Sequence, residues 1–112
     1  MKDGIVVFVT VENKTQAEKV SSALLNEKLV ACVNVIPGIE SHYWWEEKIE
    51  ISNELLLIIK SRQDMLESII STVKKNHSYS VPEVIAIPIL GGNPDYLKWL
   101  GDSICKKPCS MK

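Results

Sequence analysis

Apolar residues in this chain fall into blocks that switch between strand and helix period. Residues 5–11, IVVFVTV, form a continuous β-branched run, which predicts a strand buried on both faces. Asn13 followed three residues later by Gln16 resembles a capping box, so a helix is expected from there to about Lys28. Ala17, Val20, Ala23 and Leu24, flanked by Leu25, recur at helical spacing and give it one buried face. The stretch 31–50, ACVNVIPGIESHYWWEEKIE, is rich in β-branched and aromatic residues and poor in helix formers. It reads as a strand that breaks at Pro37-Gly38 and resumes through Tyr43, Trp44 and Trp45. A second strand over 48–60 follows at once, so the pair predicts a long β-hairpin with its tip near Glu46-Glu47. A two-residue type I′ turn needs positive φ at both central positions, which glutamate supplies poorly. A longer or different turn is therefore expected there.

Ser61 with Asp64 signals a second helix N-terminus, and Leu66, Ile69, Ile70 and Val73 form that helix's inner face. It ends near Asn76, where Lys74 and Lys75 suit the negative end of the helix dipole. After a polar connector, residues 84–90 read as a fourth strand, in which Pro88 calls for an edge position or a bulge. Gly91-Gly92 turns the chain. Asn93 caps a last helix with Pro94 at its first position, and Leu97, Leu100 and Ile104 give it an apolar face. Residues 106–112 read as a frayed tail.

The order strand, helix, strand, strand, helix, strand, short helix describes one α+β domain over 1–112, the ferredoxin-like βαββαβ arrangement. Right-handed crossovers put both main helices on one face of the sheet. Strands apolar on both sides would then leave a large apolar surface in water, which soluble monomers rarely tolerate. Other copies of the chain are expected to cover it, with Tyr43, Trp44 and Trp45 on the hairpin as interface anchors.

Charge narrows the partners. Thirteen basic and 14 acidic residues leave a net charge of −1, which argues against nucleic acid, whose affinity comes from phosphate neutralisation. Arg62 is the sole arginine. No apolar run approaches the roughly 20 residues of a membrane span. The chain enters its first strand without a secretory pattern, and three cysteines make an odd number. A disulfide framework is not expected, and a reducing, cytoplasmic setting is.

Several short motifs together resemble the CutA family, the divalent-cation-tolerance proteins. They are Ala31-Cys32-Val33-Asn34 with Ile36-Pro37-Gly38-Ile39, Ser41-His42-Tyr43-Trp44-Trp45-Glu46, His77-Ser78-Tyr79, Val81-Pro82-Glu83-Val84 and Gly92-Asn93-Pro94-Asp95-Tyr96-Leu97. The resemblance runs from Val6 to about Ser103. It implies a ferredoxin-like homotrimer, related in assembly to the PII signalling proteins, that is non-enzymatic and linked to tolerance of copper and other divalent metals. Animal relatives imply an alternative, a trimeric protein-interaction scaffold of the acetylcholinesterase-anchoring type that meets metal only incidentally. Bacterial relatives implicated in copper binding place a cysteine where Val9 stands and a second histidine where Asn76 stands. Where the family usually reads His-Pro-Tyr-Glu, this chain reads His77-Ser78-Tyr79-Ser80.

Candidate chemistry is sparse. His77 is either an imidazole ligand for Cu(II) or Zn(II), in a cleft between copies, or a helix-end cap. Glu83 is its expected oxygen partner, or else a charge facing solvent at a strand start. Tyr79 is assigned to the interface with the hairpin aromatics; Lys60 and Tyr79 are also candidates to line an anion or small-molecule cleft, the alternative being an exposed lysine at a strand end. Cys105 and Cys109, four apart, are a pair for soft Cu(I) if the helix persists past Pro108. Cys32 inside an apolar strand behaves as a small hydrophobe. Nucleophile elbow, phosphate loop and H-E-x-x-H motifs are all missing, as expected of a protein without catalysis.

Overall fold

The computed structural model describes residues 2–105; the tail 106–112 lies outside them. Its elements are β1 (Gly4–Val11), α1 (Lys14–Asn26), β2 (Cys32–Trp45), β3 (Lys48–Arg62), a 3-10 turn (Gln63–Met65), α2 (Leu66–Asn76), β4 (Ile85–Pro88) and α3 (Pro94–Asp102). The four strands form one sheet in the order β2-β3-β1-β4, and every neighbouring pair is antiparallel. This is the ferredoxin-like arrangement that the element order predicted. Pro88 sits in the edge strand, where its missing N–H leaves no ladder bond unmade.

One row of β1 builds the core. Ile5, Val7, Val9 and Val11 are buried with Leu57 and Ile59 of β3, Val20 and Leu24 of α1, and Ile69 and Val73 of α2. Met65, Leu100 and Ile104 join the same cluster. The alternate row is only half covered. Val6, Phe8, Leu56 and Ile58 are partly exposed, and beside them Ile36, Ile85 and Ile87 lie open, Ile85 at 53%. Strand pairing puts these residues on one face, because Phe8 faces Ile85 and Ile58, Val6 faces Ile87, and Ile36 faces Leu56. The expectation of strands buried on both sides therefore holds for one side within a single copy.

Local chemistry fixes the helix ends. The Asn13 side chain accepts from the Gln16 N–H at 2.9 Å, as in a capping box. The Gln16 side chain does not reach back, however; its Oε1 accepts from the Ser78 N–H at 3.0 Å and ties α1 to the distant connector. At the other end of α1, Lys28 takes φ 55°, its N–H donates to Leu25 O at 3.0 Å, and the Leu29 N–H donates to Leu24 O at 3.1 Å. These are the two bonds of a Schellman motif, with lysine where glycine is preferred. Ser61 is not a helix cap. It is the buried penultimate residue of β3, and its hydroxyl donates to Leu29 O at 2.6 Å across the fold. Arg62 occupies the cap position instead and grips Asp64 at 2.6 Å.

Past Leu55 the β2–β3 pair runs on without β1, whose last partner is Leu55. The molecule is 43 Å in its longest dimension. The tip of this two-stranded arm is a two-residue loop, since Trp45 pairs with Lys48, and Glu46 and Glu47 adopt φ 49° and 66°. The tip is thus a tight turn with both central residues left-handed, contrary to the expectation of a longer or different one. The ladder on both sides holds two glutamates in a conformation that each disfavours.

Candidate functional site

The bulge at Pro37-Gly38 decides what the arm presents. Before it, even-numbered residues of β2 face even-numbered residues of β3, as Ile36 faces Leu56. After it, odd residues do, as Ile39 faces Glu54 and Ser41 faces Ser52. One extra residue in β2 produces this exchange, and Gly38 accommodates it at φ 77°. Ser41, Tyr43 and Trp45 are thereby turned to the face that carries Glu50, Ser52 and Glu54. Trp44 goes to the opposite face beside Ile49; both are largely exposed, at 72% and 63%.

At the base of the arm this face forms a cleft of about 850 Å³, lined by Tyr43, Trp45, Glu50, Glu54, Tyr79 and Glu83 among others. The connector that closes one wall is fastened by several bonds. His77 ends α2, and its ring Nδ1 accepts the Tyr79 N–H at 3.0 Å. Nε2 therefore carries the proton and donates to Thr10 O at 2.7 Å. Both nitrogens of His77 are engaged by backbone, and the ring lies 4.7 Å from that of Tyr79. His77 stands at the C-cap position of α2, and its ring binds β1 and the connector rather than the last carbonyls of the helix.

Tyr79 donates its hydroxyl to Glu54 Oε2 at 2.7 Å. Burial, then this bond and the Glu54 charge, push the phenol well above its ordinary value, with smaller contributions from Glu12 and Tyr43. Glu54 is only 6% exposed. Glu83 stands in the same cleft. Desolvation, then the Glu54 carboxylate, hold its carboxyl above the usual range. The structure thus brings Tyr43, Trp44, Trp45, Tyr79 and Glu83 of the expected residues into the lining of one cleft, and His77 is not among that lining. Sequence reasoning missed Glu54. The signal was a lone acid in the even-numbered row that continues through Leu56 and Ile58.

The remaining candidates lie elsewhere. Cys32 pairs with Lys60 at the far end of the open face, next to Asn34, which accepts from the Lys60 ammonium. Tyr96 lies within hydrogen-bonding reach of Cys32, and its ring is 5.5 Å from that of Trp99. Cys105 is disulfide-bonded, contrary to the expectation of unpaired cysteines, and Cys109 lies outside the described residues. Among the described residues no three His, Cys, Asp or Glu side chains converge to hold a metal ion, and no helix is long and apolar enough to cross a membrane.

Comparison with known proteins gives one consistent answer. A rice protein, "Protein CutA 1, chloroplastic" of Oryza sativa, is 54% identical over 99 residues, 88% of this chain. The chain spans 56% of that relative's length. The crystal structure of CutA1 from Oryza sativa superposes with a TM-score of 0.90 at 52% identity, over 93% of this chain and 95% of that one. The periplasmic divalent cation tolerance protein CutA from Archaeoglobus fulgidus superposes with a TM-score of 0.86 at 37% identity, over 89% of this chain and 97% of that one. The expectation of a cytoplasmic setting does not survive these names, one chloroplastic and one periplasmic. It rested on the start of the chain and on cysteine count, neither of which reports where a protein of this fold resides. The model of the CutA1 divalent ion tolerance proteins matches residues 5–103, and the chain belongs to that family.

Proposed function

We propose that the protein is a non-enzymatic homotrimer that binds copper or another divalent metal ion through the acidic cleft at the base of its arm. The observation that carries this reading is the pairing of Glu54 with Glu83 in one cleft, with the Tyr79 hydroxyl as the donor on Glu54. A buried carboxylate without a cationic neighbour is costly, and a divalent ion would offset that cost for both acids at once. The donors at hand are oxygens, which suit hard divalent ions better than soft ones. One copy offers too few ligands, so the reading requires a neighbouring copy to complete the set. The open sheet face supports assembly, since its Ile36, Ile85 and Ile87 are exposed in a single copy.

Calorimetric titration of the purified assembly with Cu(II), and separately with Mn(II), tests the proposal. Saturable binding that Glu83→Gln abolishes and His77→Ala weakens only indirectly is the expected result. Absence of heat with either metal at micromolar concentration would refute metal binding and leave the scaffold alternative.

A further inference from the structure

The far end of the described chain carries sulfur chemistry in which the cleft has no part. The protein has three cysteines. Cys32 is free and Cys105 is disulfide-bonded, so the count leaves Cys109 to supply the second sulfur. In the sequence Cys105-Lys106-Lys107-Pro108-Cys109 that bond closes a ring of five residues. A ring so short does little to staple a fold, because the stabilisation grows with the length of loop closed. The fold holds Cys105 by other means. Ile104 is buried in the core, the Cys105 N–H donates to Lys28 O at 2.9 Å, and the Arg62 guanidinium donates to Cys105 O. Its Sγ lies 3.4 Å from the carbonyl oxygen of Glu27, the residue that ends α1. That carbonyl is an acceptor that a thiol can use and a disulfide sulfur cannot. The position therefore suits the reduced residue as well as the oxidised one.

We infer that Cys105 and Cys109 form a reversible dithiol–disulfide pair, which opens and closes with the poise of the surrounding small thiols while the fold stays intact. Cys105 is only partly buried, so a small thiol can reach it, and exposed disulfides are the readily exchanged ones. Lys106 and Lys107, between the two cysteines in sequence, favour the thiolate form that carries exchange. In the opening step a glutathione thiolate attacks one ring sulfur and forms a mixed disulfide. The other sulfur leaves as a thiolate and takes a proton from water. A second glutathione thiolate then displaces the protein sulfur, which is protonated in turn. Two protein thiols and one oxidised glutathione result, and two electrons have passed to the ring.

Thiol counting on the full-length assembled protein tests this. After equilibration with reduced and oxidised glutathione in graded ratio, the protein is quenched in acid, unfolded and labelled with maleimide-polyethylene glycol. One labelled cysteine per chain is expected at the oxidised end and three at the reduced end, the two new ones appearing together. Far-ultraviolet circular dichroism should be the same at both ends. Cys32→Ser should lower both counts by one and leave the transition where it is. Cys109→Ser should abolish the transition and leave two labelled cysteines throughout. Three labelled cysteines at the oxidised end would overturn the inference, as would chains linked to one another by disulfides. Reduction achieved only in denaturant, or a transition that survives Cys109→Ser, would overturn it too. The wild-type count carries the test on its own if a variant fails to fold.

Discussion

Replacing Tyr79 by phenylalanine removes one oxygen atom and isolates the contact on which the cleft is built. The ring keeps its place 4.7 Å from His77, so packing is conserved and the bond to Glu54 at 2.7 Å is what disappears. That bond ends on a carboxylate only 6% exposed. Hydrogen bonds to charged groups contribute about 1.5–3 kcal/mol, so Tyr79→Phe should destabilise the fold by an amount in that range at neutral pH. Chemical denaturation at fixed protein concentration measures it. A double-mutant cycle with Glu54→Gln then separates the bond from other consequences. With an amide as acceptor the hydroxyl contributes about 1 kcal/mol, so the second substitution should cost less in the Gln background. Ultraviolet titration of the tyrosines gives an independent reading. Tyr79 ionises well above its ordinary value, and Glu54→Gln should bring it back toward that value by removing the charge and the charged acceptor. A Tyr79→Phe cost below about 0.5 kcal/mol, with an unmoved phenol, would show that the contact is not a stabilising one.

Three further outcomes follow from the same structure. Ser61→Ala removes the buried donor to Leu29 O and should cost about 1–3 kcal/mol in equilibrium unfolding, whereas a true N-cap at the surface would show the loss in local helix fraying. Lys28→Gly relieves a left-handed residue at the end of α1 and should raise stability by roughly 0.5–1 kcal/mol in the same assay, since φ 55° suits glycine. Glu83→Gln should flatten the pH dependence of stability. The Glu83 carboxyl lies above its unfolded value, so the folded state holds its proton longer, and stability is lost as pH rises from the unfolded carboxylate range through the raised one. Above that window the Gln variant should be the more stable, by less than about 1 kcal/mol because Glu83 is solvent-exposed.

The fold was legible because its blocks are long and locally consistent. The β-branched run of β1, the helical spacing of Ala17, Val20 and Leu24, and the Asn93-Pro94 start of α3 each point to what is observed. Elsewhere local signals mislead because tertiary contacts decide. Ser61 followed by Asp64 looks the same whether the hydroxyl serves the next turn or a carbonyl 32 residues away. Glu46 and Glu47 have no preference for positive φ, yet the ladder from Ile39 to Trp45 fixes the register and forces it. The site was legible only in part. Glu83, Tyr79 and the arm aromatics stood out as residue types, but Glu54 became visible only when the register set it on the same face as Tyr43. His77 attracted attention as an imidazole, and its partners, Thr10 O and the Tyr79 N–H, are backbone groups that no side-chain pattern announces.

The central claim is that one copy of this chain cannot keep its second sheet face dry, because Ile36, Ile85 and Ile87 stand open on it and both main helices lie on the other side. Sedimentation equilibrium at submicromolar protein measures this directly. A single species of three times the 12.6 kDa chain mass is the predicted result. A folded species of 12.6 kDa at that concentration would contradict the account.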